Sequence, residues 1–274
     1  MEDRTMIYTW RITPTQNIRL ELASPSLDAV TRQLPDGYYS TFRTYDECRR
    51  VIGLKAHLRR LYVPVSQPDV DASFLRRQLV SLLAPYRPGE ARVRAIMSKQ
   101  GQVYIVIEPL KLLSKELYDN GVRVETTRIQ RNNPRLKSTA FISASDSERQ
   151  HIAKEDVFEA LLERNGRILE GMTSNFFYIL DGVLCTARRD ILLGVTRGTV
   201  ICVARRSGLD VRYRALKLDE LSAVDEAFIT SSSRGVVPVI QIDDVRMGHG
   251  KPGKISKQLS TAYEAHVLER ADKI

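Results

Sequence analysis

Four short segments of the chain hold residue types that can do chemistry together. Residues 135–141 (RLKSTAF) carry an isolated lysine, and residues 169–182 (LEGMTSNFFYILDG) carry a glutamate followed by hydroxyl and amide side chains. Residues 191–200 (ILLGVTRGTV) place a Gly-Val-Thr-Arg run where a helix is predicted to begin, and the free amides and dipole of a helix N-terminus suit a dianion. Residues 225–239 (DEAFITSSSRGVVPV) add three consecutive serines.

Each segment alone has an ordinary structural explanation. A lone lysine is usually on the surface, a glutamate at a strand end is usually solvated, and Gly-Val-Thr-Arg or a serine run is usually a helix cap or a polar loop. The information therefore lies in the order and spacing of the four segments.

In this order the segments resemble the class IV, or fold-type IV, pyridoxal-phosphate (PLP) enzymes. These include branched-chain aminotransferases, D-amino-acid transaminases and 4-amino-4-deoxychorismate lyases. The resemblance runs from Gly37 to about Leu259 and is strongest from Leu169 to Arg197. It implies an α+β fold with a small α/β N-terminal domain and a larger C-terminal domain with a barrel-like sheet. It also implies PLP as the cofactor and a homodimer.

The resemblance assigns the reactive ends of the cofactor to two residues. Lys137 matches the lysine whose amine bonds to PLP and later moves a proton, which requires a partly desolvated, neutral amine. Glu170 matches the carboxylate that keeps the ring nitrogen of PLP protonated, as its role of electron sink requires. Ser174 and Asn175 offer a hydroxyl and an amide close by.

The resemblance also assigns a binding site for the cofactor phosphate. Residues 57–61 (HLRRL) resemble the family's His-x-x-Arg-Leu, which makes Arg60 the charge partner of the phosphate, with Arg59 as the competing candidate. The remaining phosphate ligands are backbone amides and hydroxyls of residues in two segments: Val195, Thr196, Ser231 and Ser232.

The expected substrate-binding residues are Tyr39, Thr41, Arg92, Arg94 and Ser233. Arg94 lines up with an arginine of the branched-chain enzymes, whereas Arg92 stands where those enzymes carry a tyrosine. Two arginines on one strand face are consistent equally with a dicarboxylate site and with an exposed edge. Ile142 replaces the tyrosine that branched-chain enzymes usually place five residues after the lysine, which favours a D-amino-acid or lyase type of pocket.

The leading functional hypothesis is a PLP-dependent aminotransferase that acts on an amino acid and a 2-oxo acid. Glutamate and 2-oxoglutarate are expected as one exchange pair on family grounds alone. The alternative is a 4-amino-4-deoxychorismate lyase on the same site, which Thr41, Ile142 and the two arginines permit. A third hypothesis is a protein that binds PLP or another anion without turnover.

Composition limits the other function classes. The net charge of +9 is spread along the chain without a long basic run, so we expect a solvated basic surface and no nucleic-acid partner, although a small anionic ligand would use a few charges locally. Three distant cysteines and four histidines show no metal-ligand spacing, so no metal is expected and the thiols are expected to be reduced. Apolar runs fall short of a membrane span, and we expect a cytoplasmic protein.

The first part of the chain is predicted to contain strands and separate helices. Alternation from Met6 to Ile12 predicts a strand, as does the aromatic-rich run Gly37–Tyr45. Further elements in this part are a helix at 55–62, a helix that begins after the N-cap Asp71 and ends before Pro85, and strands at 91–98 and 102–110. A polar stretch at 111–120 suggests a boundary between domains 1–115 and 116–274.

The second part is predicted to contain hairpins, which favour a barrel-like or curved sheet. Asn165-Gly166 and Asp181-Gly182 are typical of tight hairpin turns, and Ser145 with Glu148 has the spacing of a capping box at the start of a helix. The remaining predicted strands are 122–129, 158–163, 175–180, 183–186, 211–213 and 226–230, and the remaining helices are 145–154, 196–206 and 255–268.

Overall fold

The computed structural model describes residues 7–22, 24–155 and 157–274, so Met6 of the predicted first strand lies outside the described residues. The strands are β1 (Tyr8–Ile12), β2 (Asn17–Leu20), β3 (Gly37–Arg43), β4 (Arg50–Val51), β5 (Ala91–Ser98), β6 (Val103–Pro109), β7 (Val122–Thr127), β8 (Glu159–Arg164), β9 (Arg167–Gly171), β10 (Asn175–Leu180), β11 (Val183–Thr186), β12 (Val211–Tyr213), β13 (Leu216–Lys217), β14 (Glu226–Ser231), β15 (Gly235–Ile242), β16 (Val245–Arg246) and β17 (Asp272–Lys273).

The helices are α1 (Leu27–Gln33), α2 (Leu54–Tyr62), α3 (Ala72–Leu83), α4 (Lys115–Asn120), α5 (Ala140–Ala144), α6 (Asp146–Lys154), α7 (Val195–Arg206) and α8 (Lys254–Arg270). Short 3₁₀ turns cover Ala84–Tyr86 and Leu218–Ala223. Most of the longer elements lie where the residue pattern predicts them. The elements that were not predicted are the short helices α1, α4 and α5, the ring strand β15 and the short strands β2, β4, β13, β16 and β17.

The chain forms two compact units. The first comprises Met1–Lys111, Leu136–Ala144 and Val267–Ile274, and the second comprises Leu112–Arg135 and Ser145–His266. The predicted division into 1–115 and 116–274 stays a prediction. The contacts separate residues 111 and 112 and also add two later segments to the first unit, one of which carries Lys137.

The first unit is built on an antiparallel sheet of five strands, in the order β2-β1-β6-β5-β3. Alternate residues of β5 and β6 point to opposite faces, and both faces are covered. Val93 and Ile105 pack with the leucines of α2 and α3, whereas Ile96 and Val106 pack with Leu27 of α1 and with α5. Burial on both faces explains the continuous apolar runs at residues 95–97 of β5 and 103–107 of β6.

A buried histidine lies in the first of these two cores. His57 of α2 is 1% exposed, its Nδ1 is 2.8 Å from Ser40 Oγ, and its ring is 5.2 Å from the ring of Phe42. Burial lowers the pKa of His57 from 6.5 to about 3, and the positive charges of Arg60 and Lys137 add to the decrease. The imidazole is therefore neutral in the folded protein at physiological pH.

A closed ring of six strands is the frame of the second unit. The strands follow the order β10-β14-β15-β7-β8-β9, and pairing of Asn175 with Glu170 returns the ring to β10. Strand β7 runs parallel to both β15 and β8, and the other neighbours in the ring are antiparallel. Phe176, Ile229 and Val239 belong to its apolar core. The predicted barrel-like sheet is confirmed.

The residues at the turns of the two predicted hairpins have the positive φ values that tight turns need. Asn165 and Gly166 have φ values of 53° and 71° between β8 and β9, and Asp181 and Gly182 have 52° and 73° between β10 and β11. Two consecutive residues with positive φ match the right-handed twist of the flanking strands.

The predicted capping box of α6 is wrong. Ser145 occupies the N-cap position, but its side chain makes no capping hydrogen bond. Its Oγ instead accepts a hydrogen bond from Arg149 Nε at 3.0 Å. A long basic side chain one turn later therefore uses the oxygen that the pattern assigned to the backbone.

The ring packing predicts a large cost for truncating one phenylalanine. Phe177 of β10 and Phe228 of β14 pair directly across the sheet, and their rings stack at 5.0 Å with both side chains fully buried. We expect Phe228→Ala to destabilise the second unit by about 3–5 kcal/mol, measured by denaturant unfolding. Leu112→Ala, at a side chain that is 65% exposed, is the control and should change stability little. Equal effects of the two substitutions would contradict this packing.

The neutral His57 predicts a pH dependence of stability. Because the folded pKa lies below the unfolded value, the unfolded chain binds the proton more readily, and stability falls as pH decreases from about 6.5 towards 3. We expect His57→Gln to lessen this fall, measured as the free energy of unfolding at several pH values. An unchanged pH profile would mean that His57 titrates normally.

Candidate active site

The centre of the candidate site in the second unit is the buried carboxylate of Glu170, on β9 beside the point where the ring closes. Its Oε1 accepts a hydrogen bond from Arg131 Nε at 3.0 Å. Its Oε2 accepts from Asn175 Nδ2 at 3.1 Å and from the Leu192 amide at 2.9 Å. These donors favour the ionised carboxylate and fix its orientation.

Arg131 is a functional residue that the sequence analysis missed. The side chains of Arg131 and Glu170 are 5% and 2% exposed, so the two form a fully buried ion pair. Arg131 Nη2 also donates to the Met172 carbonyl at 2.5 Å. Its place in a polar loop, 39 residues before the glutamate, gave no local signal of this pairing.

The amide side chain of Asn175 ties β10 to the loop before α7. Asn175 Nδ2 donates to the Leu192 carbonyl at 2.8 Å as well as to Glu170. Gly194 follows in this loop, and a Cβ at its position would collide with Asn175 Oδ1. A glycine is therefore required where the loop backbone approaches the amide.

A polar cup suited to an anion forms at the start of α7. The helix begins at Val195 after Gly194, which provides no side-chain cap. The first amides of a helix lack intrahelical acceptors and carry the positive end of the helix dipole. Thr196 Oγ1 lies 3.1 Å from Ser232 Oγ in the turn after β14, so the structure brings together two of the residues predicted to bind phosphate.

A second ion pair, partly buried, holds the serine turn. Arg234 Nη2 donates to Glu159 Oε2 at 2.8 Å and to Thr173 Oγ1 at 2.6 Å, and Arg234 Nε donates to Ser231 Oγ at 3.0 Å. Glu159 Oε1 accepts from the amide and the hydroxyl of Thr173. Neither charged residue was predicted, because partners 75 residues apart leave no pattern in the sequence.

The Lys137 segment belongs to the first unit. Its backbone carbonyl accepts a hydrogen bond from the Tyr39 amide at 2.9 Å, and Ser138 forms a bridge with Tyr38. Thr139 Oγ1 accepts from the Gly37 amide at 2.9 Å. These bonds attach residues 137–139 to the edge of β3. They place Lys137 Nζ 4.9 Å from the centre of the Tyr39 ring. The half-buried lysine lies on an aromatic surface, an environment that partly desolvates its amine.

Arg60 is favoured over Arg59 by its position on α2. Arg60 lies three residues after His57, is half-buried, and lowers the pKa of that imidazole together with Lys137. Arg59 is exposed. The first unit thus brings the charges of Arg60 and Lys137 near one buried neutral ring.

The two substrate-side arginines are each paired with a carboxylate of this chain. Arg94 is 4% exposed, and its Nη1 contacts Asp28 Oδ1 at 2.7 Å and Thr31 Oγ1 at 2.8 Å. Arg92 Nη1 pairs with Glu108 Oε1 at 2.9 Å, directly across the sheet. Arg94 is therefore not part of an exposed edge.

Thr41 and Tyr39 flank Arg94. Thr41 Oγ1 accepts from Arg94 Nε at 3.1 Å, and the guanidinium lies 4.8 Å from the centre of the Tyr39 ring. Ile142 packs in the same core as Tyr39. In the second unit, Ser174 is buried and its Oγ has no hydrogen-bond partner among the described residues, while Ser233 is half-buried in the turn that Arg234 holds.

The donors of the second unit fit PLP. A phosphate matches the start of α7 with the two neighbouring hydroxyls, and a protonated ring nitrogen matches the buried, ionised Glu170. Among the described residues, no group of three or more His, Cys, Asp and Glu side chains could hold a metal ion. Within that same part of the chain, no helix combines the length and the apolar character that crossing a membrane requires.

Known proteins resemble this chain over most of its length. It is 28% identical to the D-alanine aminotransferase of Bacillus licheniformis, with 88% of this chain and 91% of that protein covered. It is 29% identical to a probable branched-chain-amino-acid aminotransferase of Thermotoga maritima, with coverages of 91% and 93%.

Solved structures share the fold. The T.th. branched-chain amino acid aminotransferase with pyridoxamine 5′-phosphate superposes with a TM-score of 0.79 at 23% identity, over 96% of this chain and 94% of that one. Residues 37–242 match the family described as amino-transferase class IV. The chain therefore belongs to the class IV aminotransferases and is a PLP-dependent transaminase.

Proposed function

We propose that this chain exchanges an amino group between an amino acid and a 2-oxo acid, with glutamate and 2-oxoglutarate as one pair. The observation that carries the proposal is the buried Glu170–Arg131 pair, because an oriented and ionised carboxylate is what a protonated cofactor ring needs. The glutamate pair is supported by a structural relative, since the T.th. branched-chain enzyme has been solved in complex with N-(5′-phosphopyridoxyl)-L-glutamate.

PLP, when bound, withdraws electrons from the substrate Cα and so makes its proton acidic. In this proposal Glu170 holds a proton at the ring nitrogen, and Arg131, Asn175 and the Leu192 amide hold Glu170 in place. A carboxylate fixed by three donors needs little reorganisation during the reaction.

Lys137 would hold the cofactor through its Nζ, and this amine, once the substrate amine has displaced it, would be free to accept the proton from the substrate Cα. Tyr39 positions this amine through its ring face. Because the ring attracts a cation, it also favours the protonated amine after the transfer.

The phosphate is proposed to bind at the start of α7. Val195 donates through its amide, Thr196 through its amide and hydroxyl, Ser232 through its hydroxyl, and Arg60 supplies a positive charge. Arg234 is a positioning residue, since it holds the turn that presents Ser232.

The side chain of the amino acid is the open part of the proposal. Relatives are named for D-alanine and for branched-chain amino acids, and both classes are monocarboxylates. Because Arg92 pairs with Glu108 and Arg94 with Asp28, a substrate carboxylate at either arginine would have to share or displace a carboxylate of this chain. Their substrate role, the homodimer and the cytoplasmic location stay predictions.

The experiment that tests amino transfer follows the visible spectrum of the PLP-loaded protein while single L- and D-amino acids are added. We expect a donor to discharge the cofactor band and release its 2-oxo acid, and 2-oxoglutarate to restore the band and yield glutamate.

Lys137→Ala should lower turnover by at least about 1000-fold, whereas the exposed Lys154→Ala should not. Pyruvate released from 4-amino-4-deoxychorismate without an acceptor would replace this proposal by the lyase. A band that neither kind of substrate discharges would indicate binding without turnover.

The role of Glu170 gives a separate prediction. Glu170→Gln keeps the size of the side chain but removes the charge that stabilises the ring proton and pairs with Arg131. We expect kcat to fall by about 100-fold or more while PLP still binds through its phosphate, measured by steady-state kinetics and cofactor titration. Glu116→Gln, at an exposed position of the same unit, is the control. Unchanged kcat would remove Glu170 from the mechanism.

A further inference from the structure

An arginine-rich cavity lies in the second unit, apart from the residues assigned to the cofactor. Its volume is about 750 Å³, and its lining includes Arg135, Arg167, Arg188, Arg189, Asp190 and Tyr213. Arg167 and Leu169 of β9 line it, whereas Glu170 alternates with them along the strand. The cavity is therefore on the other face of β9 from the Glu170 side chain.

Positive charge in this cavity is not neutralised by the protein. Asp190 is an acidic residue of the lining, and its carboxylate is already paired with Arg164. Within the described part of the chain, none of the four lining guanidinium groups forms an ion pair with a carboxylate. The lining thus has four cations and one carboxylate that is shared with a fifth arginine.

The arginines are partly ordered by contacts that leave their charges available. Arg135 Nη2 donates to the Arg188 carbonyl at 2.9 Å. The Arg188 guanidinium lies 5.1 Å from the centre of the Tyr213 ring, and Arg205 lies 6.0 Å from the same ring. Tyr213 is 42% exposed, so one aromatic surface gathers guanidinium groups at the rim of the cavity.

A buried arginine behind the cavity supports the same conclusion. Arg197 is 6% exposed, donates to the Ala187 carbonyl at 2.7 Å and lies 5.6 Å from the Tyr213 ring, but its Nε has no hydrogen-bond partner in the part of the chain that the structure describes. Burial lowers the pKa of Arg197. The charges of Arg135 and Arg188 lower it further, whereas Tyr213 and Glu170 act in the opposite direction. Repulsion among these cations is unfavourable unless an anion offsets it.

We propose that this cavity binds a small molecule with a diphosphate or two neighbouring phosphate groups. Guanidinium forks match phosphate oxygens in pairs, and several uncompensated arginines favour a ligand with more than one negative charge. The volume is in the range of about 300–1,000 Å³ that is typical of small-molecule sites. An extended polyanion is less suited, because the basic residues converge here instead of forming a track.

The probe for this site is inorganic pyrophosphate, titrated calorimetrically into the PLP-loaded protein at constant ionic strength. Loading with PLP keeps the phosphate cup at the start of α7 occupied. We expect saturable binding that the double variant Arg167→Gln/Arg188→Gln weakens by at least about tenfold. The control Arg123→Gln/Arg246→Gln removes the same charge from exposed positions outside the lining and should change the affinity less than about twofold.

Four results would overturn the proposal. The first is no saturable binding of pyrophosphate to the loaded protein. The second is an equal loss in both double variants, which would mean that net charge alone attracts the anion. The third is a change in oligomeric state of the Arg167→Gln/Arg188→Gln variant in light scattering, which would mean that a second copy covers the cavity. Citrate in parallel separates phosphate recognition from general anion binding, and equal affinity for citrate would contradict the phosphate assignment. These outcomes do not depend on amino transfer, because none of the lining residues has a cofactor role.

Discussion

The buried ion pair between Glu170 and Arg131 is the interaction on which the second unit depends. Removing a carboxylate and a guanidinium from water costs several kcal/mol per ion, and their attraction offsets this only with good geometry and further hydrogen bonds. Asn175 and the Leu192 amide provide those bonds. The same asparagine pairs with Glu170 where the ring of strands closes, so the frame of the unit and the chemistry of the site share one residue pair. A change at this point therefore affects closure of the ring and protonation of a cofactor together.

Charge is distributed differently in the two units. In the first, Arg94 is compensated by Asp28 and Arg92 by Glu108, while Arg60 and Lys137 act on a histidine that burial keeps neutral. In the second, Glu170 and Glu159 compensate their own arginines, and four other arginines line one cavity. The basic residues that give the net charge of +9 are thus distributed less evenly in the fold than along the sequence.

Lys137 lies in the first unit, although its place in the sequence predicts the second. The lysine lies in the middle of the sequence, after the predicted boundary, yet its segment hydrogen-bonds to the strand that carries Tyr39. The helices that were not predicted also bring together residues that are distant in the sequence. Helix α1 is too short for a clear periodic pattern, and it carries Asp28 and Thr31, which engage Arg94. Arg94, whose strand position predicts binding of a substrate carboxylate, therefore pairs with the carboxylate of Asp28 in this chain.

The sequence by itself determined most of the elements, the hairpin turns and the class of chemistry. Local physics decides these features: side-chain periodicity, positive φ at Asn-Gly and Asp-Gly, and the order of the Lys137, Glu170 and Thr196 segments. Only the tertiary structure decided which charges meet. Arg131 and Glu170 are 39 residues apart, Arg94 and Asp28 are 66 apart, and Arg234 and Glu159 are 75 apart. A buried charge is stable only where the fold brings it a partner of opposite charge. Because that partner can come from many positions in the chain, the pairing has no characteristic spacing in the sequence.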